Sequence, residues 1–367
     1  MKNITGIIST NYSTNSLHTL TKNVGIGALP FGSRYRMIDF SLSSMANSGI
    51  VLVGLIVPSN FGLLVEHVGV GKEWDLDKKT GGIFILPGSS MDSRNPEGKF
   101  LLNDLKQNLV FTETITDKYV VISATSKVFN IDYRDVLKEH IKNDSEITLV
   151  YKEGLSEFCK NDYSAELDSS GRILKLNNSE NGSNNCLLDA ILINTDVFQR
   201  LVKSYDGYEH LDLMEIIADD ILSYQIYGYE FKGYVAVFSC TKSYLVANQD
   251  LLNDEIRNEI FNLTRPIATK MYDIPPTKYT KSAEISNSLI STGCTIKGSV
   301  KNSIIFGNVI IEAGAKVENS LVMQGCTINK NAKLSNAIMD NESYLNENEQ
   351  AIGDKSSPII VEKNNQI

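Results

Sequence analysis

From residue 283 onward, aliphatic side chains recur at every sixth position, a spacing that few folds require. Ile305, Ile311 and Val317 form one such run, and Val322, Ile328 and Leu334 another. The pairs Asn287-Ser288, Asn302-Ser303 and Asn319-Ser320 punctuate the stretch, with Asn336-Ala337 in the matching place. Two aliphatics follow each pair: Leu289-Ile290, Ile304-Ile305, Leu321-Val322 and Ile338-Met339. Gly293-Cys294, Gly314-Ala315 and Gly325-Cys326 put small residues at turns. Each coil of a parallel β-helix has three sides and stacks one inward side chain on each, so one buried aliphatic in six residues is its pattern. An ordinary β-sandwich would not produce four similar repeats. Residues 283–367 are therefore expected to form a parallel β-helix, with the Asn-Ser pairs as turn residues rather than a site. Open strand edges at the end coils favour oligomerisation or a cap.

Residues 1–250 are patterned differently. Thr5–Ser9, Val51–Val57 and Tyr119–Ala124 read as strands, and Met37–Ser48 and Tyr133–Lys142 as helices. Alternation of this kind predicts an α/β domain with a mostly parallel sheet. Glu153–Asp196 is more polar and β-rich, as an inserted hairpin lobe would be. Leu251–Leu263 is a candidate helix, and Pro266 and Pro275-Pro276 mark a loop after it, so residues 251–282 are expected to be a linker. A length of 367 residues accommodates two domains.

Charge and composition exclude several function classes. The net charge is −9, with no basic patch for nucleic acid and no polybasic run for a membrane surface. The longest apolar run, Ile50 to Val57, is too short to span a bilayer. The N-terminal segment has no signal-peptide core. Cys159, Cys186, Cys240, Cys294 and Cys326 are odd in number, widely spaced and without a CxxC, so they read as reduced thiols of a cytoplasmic protein. His18, His67, His140 and His210 have no metal-ligand spacing and read as structural.

Several segments then match one family in order. Leu29-Pro30-Phe31-Gly32-Ser33-Arg34-Tyr35-Arg36-Met37-Ile38-Asp39-Phe40 resembles the "PFGGKYRIIDF" segment of ADP-glucose pyrophosphorylases (glucose-1-phosphate adenylyltransferases). Leu42-Ser43-Ser44-Met45-Ala46-Asn47-Ser48-Gly49-Ile50 is similar to that family's "LSNCVNSGI". Trp74-Asp75-Leu76-Asp77, Gly81-Gly82-Ile83 and Leu86-Pro87 resemble its "PWDLD" loop and the strand after it. Gln107-Asn108, Tyr244, Ala247-Asn248 and Asp250-Leu251 continue the match. The resemblance implies a nucleotidyltransferase-like, Rossmann-like first domain and a left-handed parallel β-helix as the second.

Members that catalyse join glucose 1-phosphate to ATP, with release of pyrophosphate. The chemistry needs a glycine-rich phosphate cradle, two aspartates on Mg²⁺ and phosphate-binding lysines. Carried over position by position, each is missing here. Asn11-Tyr12-Ser13-Thr14-Asn15-Ser16-Leu17 stands at the cradle "GGxGxRL", with Ser16 at its arginine. Ile26 stands at the lysine of "AKPAV". Ser126 and Val237 stand at the two metal aspartates. The string "EKP", which carries the sugar-phosphate lysine, is absent, and Lys175-Leu176-Asn177-Asn178-Ser179 fills that region. Phe100-Leu101-Leu102-Asn103-Asp104 replaces "GTADA".

No catalytic residue, metal ligand or cofactor is therefore assigned. Arg34 and Arg36 are kept as possible anion or effector contacts, because guanidinium matches phosphate geometry, with bracing of the fold as the other reading. The resemblance implies a non-catalytic regulatory subunit in glycogen biosynthesis. It would assemble with and activate a catalytic adenylyltransferase subunit as a hetero-oligomer, expected to be a tetramer, or pair with itself when alone. Two alternatives stand beside it: a sugar nucleotidyltransferase with a rebuilt site, and an acyltransferase, against which the lack of histidine after His210 counts.

Overall fold

The computed structural model describes residues 3–12, 17–21, 24–89, 98–155, 162–178, 184–205 and 211–363. The chain divides into two compact units. One comprises Met1–Leu29, Met37–Ser239 and Phe261–Lys270; the other comprises Pro30–Arg36, Cys240–Ile260 and Met271–Ile367. Residues 251–282, expected as a linker, are thus shared between the units: the short helix Asp254–Ile260 belongs to the second and residues 261–270 to the first.

The first unit is built on a nine-stranded sheet: β1 (Ile4–Ser9), β2 (Leu52–Val57), β3 (Gly82–Pro87), β4 (Tyr119–Ala124), β5 (Ile147–Glu153), β6 (Tyr163–Leu167), β7 (Ile173–Asn178), β8 (Asn185–Asn194) and β9 (Ile226–Glu230). β1 is central and pairs in parallel with β2 and β4, and β3 pairs in parallel outside β2. β1 and β4 are buried along their whole length, as strands covered on both faces must be. Ile38 and Leu42 of the helix Met37–Asn47 and Val136 of the helix Tyr133–Lys142 share one apolar cluster with Val53, Leu55, Val121 and Leu192 of the strands.

The region expected as a separate hairpin lobe is part of this sheet. β8 is ten residues long and pairs antiparallel with β4, β5 and β6, while β7 extends the sheet beyond β6. The sheet is accordingly mixed. The polar residues that suggested a lobe lie on outward faces: Glu166 and Lys175 are exposed, while Ala165 and Ile173 of the same hairpin are buried.

The thiol expectation needs one correction. Cys240, Cys294 and Cys326 are free, but the buried Cys186 of β8 is disulfide-bonded. Cys159 lies outside the described residues. Sequence spacing carries no record of which cysteines a fold brings within reach of each other. His67 and His140 are buried and hydrogen-bonded, to Asp39 and to Thr148 and Asn194 respectively. Among the described residues, no helix is long and apolar enough to cross a membrane.

In the second unit, three five-stranded parallel sheets form the sides of a β-helix. Ile296, Ile311 and Ile328 stack on one side, Val300, Val317 and Leu334 on the next, and Ile305, Val322 and Met339 on the third. All are at most 1% exposed. Asn287, Asn302, Asn319 and Asn336 stand at one corner with φ between 41° and 49°. This left-handed conformation is one that asparagine tolerates better than other side chains. Asn287 donates to Asn302 Oδ1 and Asn302 to Asn319 Oδ1. Next to them the hydroxyls of Ser288, Ser303 and Ser320 each accept from the backbone N–H one coil further on. The corner is therefore a polar ladder that satisfies backbone groups no strand can reach.

Asn319→Val should lower stability by about 1–2 kcal/mol, because it forces a β-branched residue into positive φ and cuts the ladder. Asn319→Gly should lower it less. Urea unfolding midpoints of the two variants check this.

Candidate functional site

In α/β sheets, ligands gather beyond the carboxyl ends of the parallel strands. Here those ends are Thr10, Asn11 and Tyr12 after β1, Gly88 and Ser89 after β3, and Thr125, Ser126 and Lys127 after β4. The side chain of Asn11 is buried against β3. Its Nδ2 donates to Ser89 O at 3.1 Å and to Asp104 Oδ2 at 2.8 Å. Asp104 also accepts from the backbone N–H and hydroxyl of Ser89, at 2.7 and 2.5 Å. Burial raises the pKa of Asp104, and those hydrogen bonds oppose the rise. Gly88 is required here, since a Cβ on it would lie 2.4 Å from Asn11 Nδ2. Tyr12 is 3% exposed, with its hydroxyl 3.1 Å from Thr125 Oγ1. Burial raises its phenol pKa far above the usual value. Two side chains thus fill the ground where a phosphate cradle would present bare backbone. Ser16 lies outside the described residues. Ile26 is buried in the 3₁₀ turn Ile26–Ala28 and offers no charge.

Ser126 and Val237 lie at one end of a short ladder, one register position apart. A two-stranded antiparallel ladder joins Lys127–Val128 to Ala236–Val237, which sets Val237 opposite Lys127 and next to Ser126 in register. Around this ladder sits a group that sequence reasoning missed. Lys127, with its side chain 1% exposed, holds Asp189 Oδ2 at 2.5 Å and Asp162 Oδ2 at 2.9 Å. Lys99 holds Asp189 Oδ2 at 2.7 Å and also pairs with Asp162 Oδ1. Ser126 Oγ donates to the same Asp189 Oδ2 at 2.5 Å. Burial opposes ionisation of Asp162, but Lys127 and Lys99 outweigh it and hold its pKa well below the carboxylate range. Burial likewise opposes the charge on Lys99, and the two aspartates outweigh it. The only trace in the sequence was a lysine directly after the position where the resemblance expects a metal aspartate.

Local geometry aims these groups. Asp189 has φ 53° and sits where the β8–β5 register shifts between Leu187 and Ile191. A bulge of this kind turns a side chain out of the alternation of its strand. Lys99 is fixed through its neighbour: Phe100 N donates to Asp212 Oδ2 at 2.7 Å, and Asp212 caps the helix Leu213–Asp219 in a capping box with Glu215. Arg34 and Arg36 are not part of this group. They lie in the second unit, on the hairpin Pro30–Phe31/Tyr35–Arg36, where Arg34 is exposed and stacks on Tyr35. Asp39 is fully buried on His67 Nε2 at 2.6 Å. Trp74 is a core residue edge-on to His67.

Comparison with known proteins places this arrangement. The family model described as Nucleotidyl transferase matches residues 13–173, and that described as GlmU-like, C-terminal hexapeptide matches residues 275–357. Glycogen biosynthesis protein GlgD of Bacillus subtilis (strain 168) is 31% identical over 98% of this chain and 95% of its own length. The protein of the same name from Geobacillus stearothermophilus is 31% identical over 84% of this chain and 81% of its own. Glucose-1-phosphate adenylyltransferase of Geobacillus stearothermophilus is 29% identical over 82% and 79%. The chain belongs to the glucose-1-phosphate adenylyltransferase family of nucleotidyltransferase-like proteins, in its GlgD-type branch. Hexapeptide repeats of this type accord with the left-handed β-helix.

The Mg²⁺ of that family does not fit the residues present. A hard cation wants carboxylate oxygens. Val237 has none, Ser126 already donates its hydroxyl, and the two nearby carboxylates are taken by ammonium groups. Among the described residues, no cluster of three or more His, Cys, Asp or Glu side chains could hold a metal.

Burial pushes Asp212 up to about 6, while its backbone N–H donors hold it back. The folded pKa thus lies above the unfolded value of about 3.9. The folded state binds this proton more tightly, so the group favours folding at low pH and that advantage is lost as pH rises through about 6. The stability difference between wild type and Asp212→Asn should move by about 2–3 kcal/mol toward wild type from pH 7 to pH 4. Denaturant titrations at several pH values measure it.

Proposed function

We propose that this chain is a non-catalytic regulatory subunit. In this reading it assembles with, and activates, a catalytic glucose-1-phosphate adenylyltransferase subunit in glycogen biosynthesis, in the cytoplasm. One observation carries the non-catalytic part: Val237 pairs with Lys127, the residue after Ser126, in one short ladder, and around Ser126 and Lys127 lies a set of ion pairs instead of free carboxylates. Phosphoryl transfer depends on preorganised charge around the nucleotide, and loss of one such group typically lowers the rate by about 10²–10³. Here the cradle, the metal carboxylates and the lysine at Ile26 are all replaced.

The subunit part is supported by surfaces in each unit. β3 is an edge strand whose Phe84 and Ile85 are 49% and 37% exposed, and it follows the Trp74 loop. In the β-helix, the last coil is closed over Leu345, Ala351 and Val361, at most 2% exposed. The first coil leaves Tyr279 and Ile285 of the inward rows 52% and 42% exposed. Uncovered strand edges with apolar side chains are surfaces that a partner fits.

Rigorously purified protein should form no ADP-glucose from ATP, glucose 1-phosphate and Mg²⁺ above background, and should form a mixed oligomer with the catalytic subunit that raises its kcat/KM. Metal-dependent turnover by the pure chain would favour a rebuilt nucleotidyltransferase site instead. Two proteins that stay separate at micromolar concentration in size-exclusion chromatography would remove the subunit role. The double variant Ser126→Asp/Val237→Asp should remain inactive, because the cradle and the lysine are still missing and a metal without an oriented nucleotide forfeits most of the gain. Turnover well above the parent would show the pocket to be less altered than this reading holds.

A further inference from the structure

The departure from the family's metal chemistry has a specific form. Had the metal carboxylates merely been lost, the pocket would be left neutral and polar. Instead two carboxylates from other elements, Asp162 before β6 and Asp189 in the β8 bulge, converge on two lysines. Asp189 Oδ2 receives three donors, Ser126 Oγ, Lys127 Nζ and Lys99 Nζ, at 2.5, 2.5 and 2.7 Å. Three donors saturate one carboxylate oxygen, so nothing remains there for a metal ion. Both oxygens of Asp162 are also taken.

We propose that Lys127, supported by Lys99, is a tethered cation that holds the Asp162–Asp189 pair and thereby shuts a latent divalent-cation site. Two carboxylates this close repel strongly unless a cation lies between them. Two ammonium groups balance their charge without any exchangeable ion. The backbone of Asp189 stays in left-handed geometry, which is unfavourable for a side chain other than glycine, because the ion pairs and the bulge fix it. Removing the Lys127 side chain would leave Asp162 Oδ2, Asp189 Oδ2 and Ser126 Oγ around a space the size of a butylammonium group, with Lys99 alone left to balance two carboxylates and one negative charge uncompensated. Those are hard oxygen donors of the type that Mn²⁺ and Mg²⁺ take.

This inference rests on the non-catalytic reading of the pocket but fails separately from it. Turnover by the wild-type chain would overturn that reading; Asp189-dependent metal uptake by the wild-type chain without turnover would overturn only this one. The experiment titrates purified full-length protein with MnCl₂ and follows free Mn²⁺ by electron paramagnetic resonance. Wild type should show no uptake that Asp189→Asn abolishes. Lys127→Ala should take up one Mn²⁺ per chain, more than about tenfold tighter than wild type, a difference of 1.4 kcal/mol or more. Lys127→Ala/Asp189→Asn should lose it again. Asp189-dependent uptake by wild type, or a folded Lys127→Ala that takes up none, would overturn the proposal. If circular dichroism shows Lys127→Ala to be unfolded, Lys127→Ser, which vacates the same space, takes its place under the same expectation. Should both variants be unfolded, folding on addition of MnCl₂ supports the proposal, and persistent unfolding in its presence overturns it.

Discussion

A buried carboxylate has to be compensated by hydrogen bonds or by opposite charge, and around Asp189 the chain supplies the charge itself. The constraint organises much of the first unit. Lys127 must emerge from the short ladder after β4, so Ala236–Val237 has to run beside it. Asp189 must turn out of β8, so the strand carries a bulge and a residue at φ 53°. Lys99 must approach from a third direction, so its segment is pinned to the cap of the helix Leu213–Asp219 through Asp212. Breaking such a set by removing one partner is expensive because it strands the other charge in a poorly solvated place. The same set leaves the strand ends without the open carboxylates on which metal-assisted phosphoryl transfer would depend.

The second unit answers to a different constraint. A triangular coil has an inside and an outside, and the aliphatic pairs serve both. Ile305, Val322 and Met339 point inward, whereas their preceding neighbours Ile304, Leu321 and Ile338 form the outer row of the same side, yet are fully buried. That side is therefore apolar on two faces. The unit includes the helix Thr241–Asp250, whose buried Tyr244 has its phenol raised well above the ordinary value, first by burial and then by Asp340 at the end of the third side.

The parts of this architecture that the sequence disclosed are those written in local pattern. Tyr119–Ala124 is an unbroken apolar-rich run and Tyr133–Lys142 keeps a helical period, so both elements lie where the pattern puts them. The six-residue rows of the β-helix are equally local. The ion pairs are not: Lys99 and Asp189 are 90 residues apart, and Lys99 and Asp162 are 63 apart. The bulge that turns Asp189 inward has no marker such as glycine, because an aspartate occupies the left-handed position. The β8 pairings were hidden for a similar reason, since a half-polar strand reads as a surface hairpin until the sheet edge it completes is known. That the segments carrying Ser126 and Val237 run side by side could be anticipated only by position-by-position comparison with a family whose chemistry demands two neighbours there.

The corner ladder of the β-helix has a consequence for how this part of the chain can change in length. Successive serine rungs, Ser288 to Ser303, Ser303 to Ser320 and Ser320 to Ala337, are 15, 17 and 17 residues apart. The extra two residues of the longer coils are absorbed in turns, while the corner asparagines keep their place above one another. Length is therefore quantised. Adding or deleting a whole coil preserves every inward row and every corner, whereas a single-residue insertion within a strand would turn its inward residues outward and shift the asparagine after it out of the ladder. Growth of such a domain proceeds in coils, and its turns are where small differences in length accumulate.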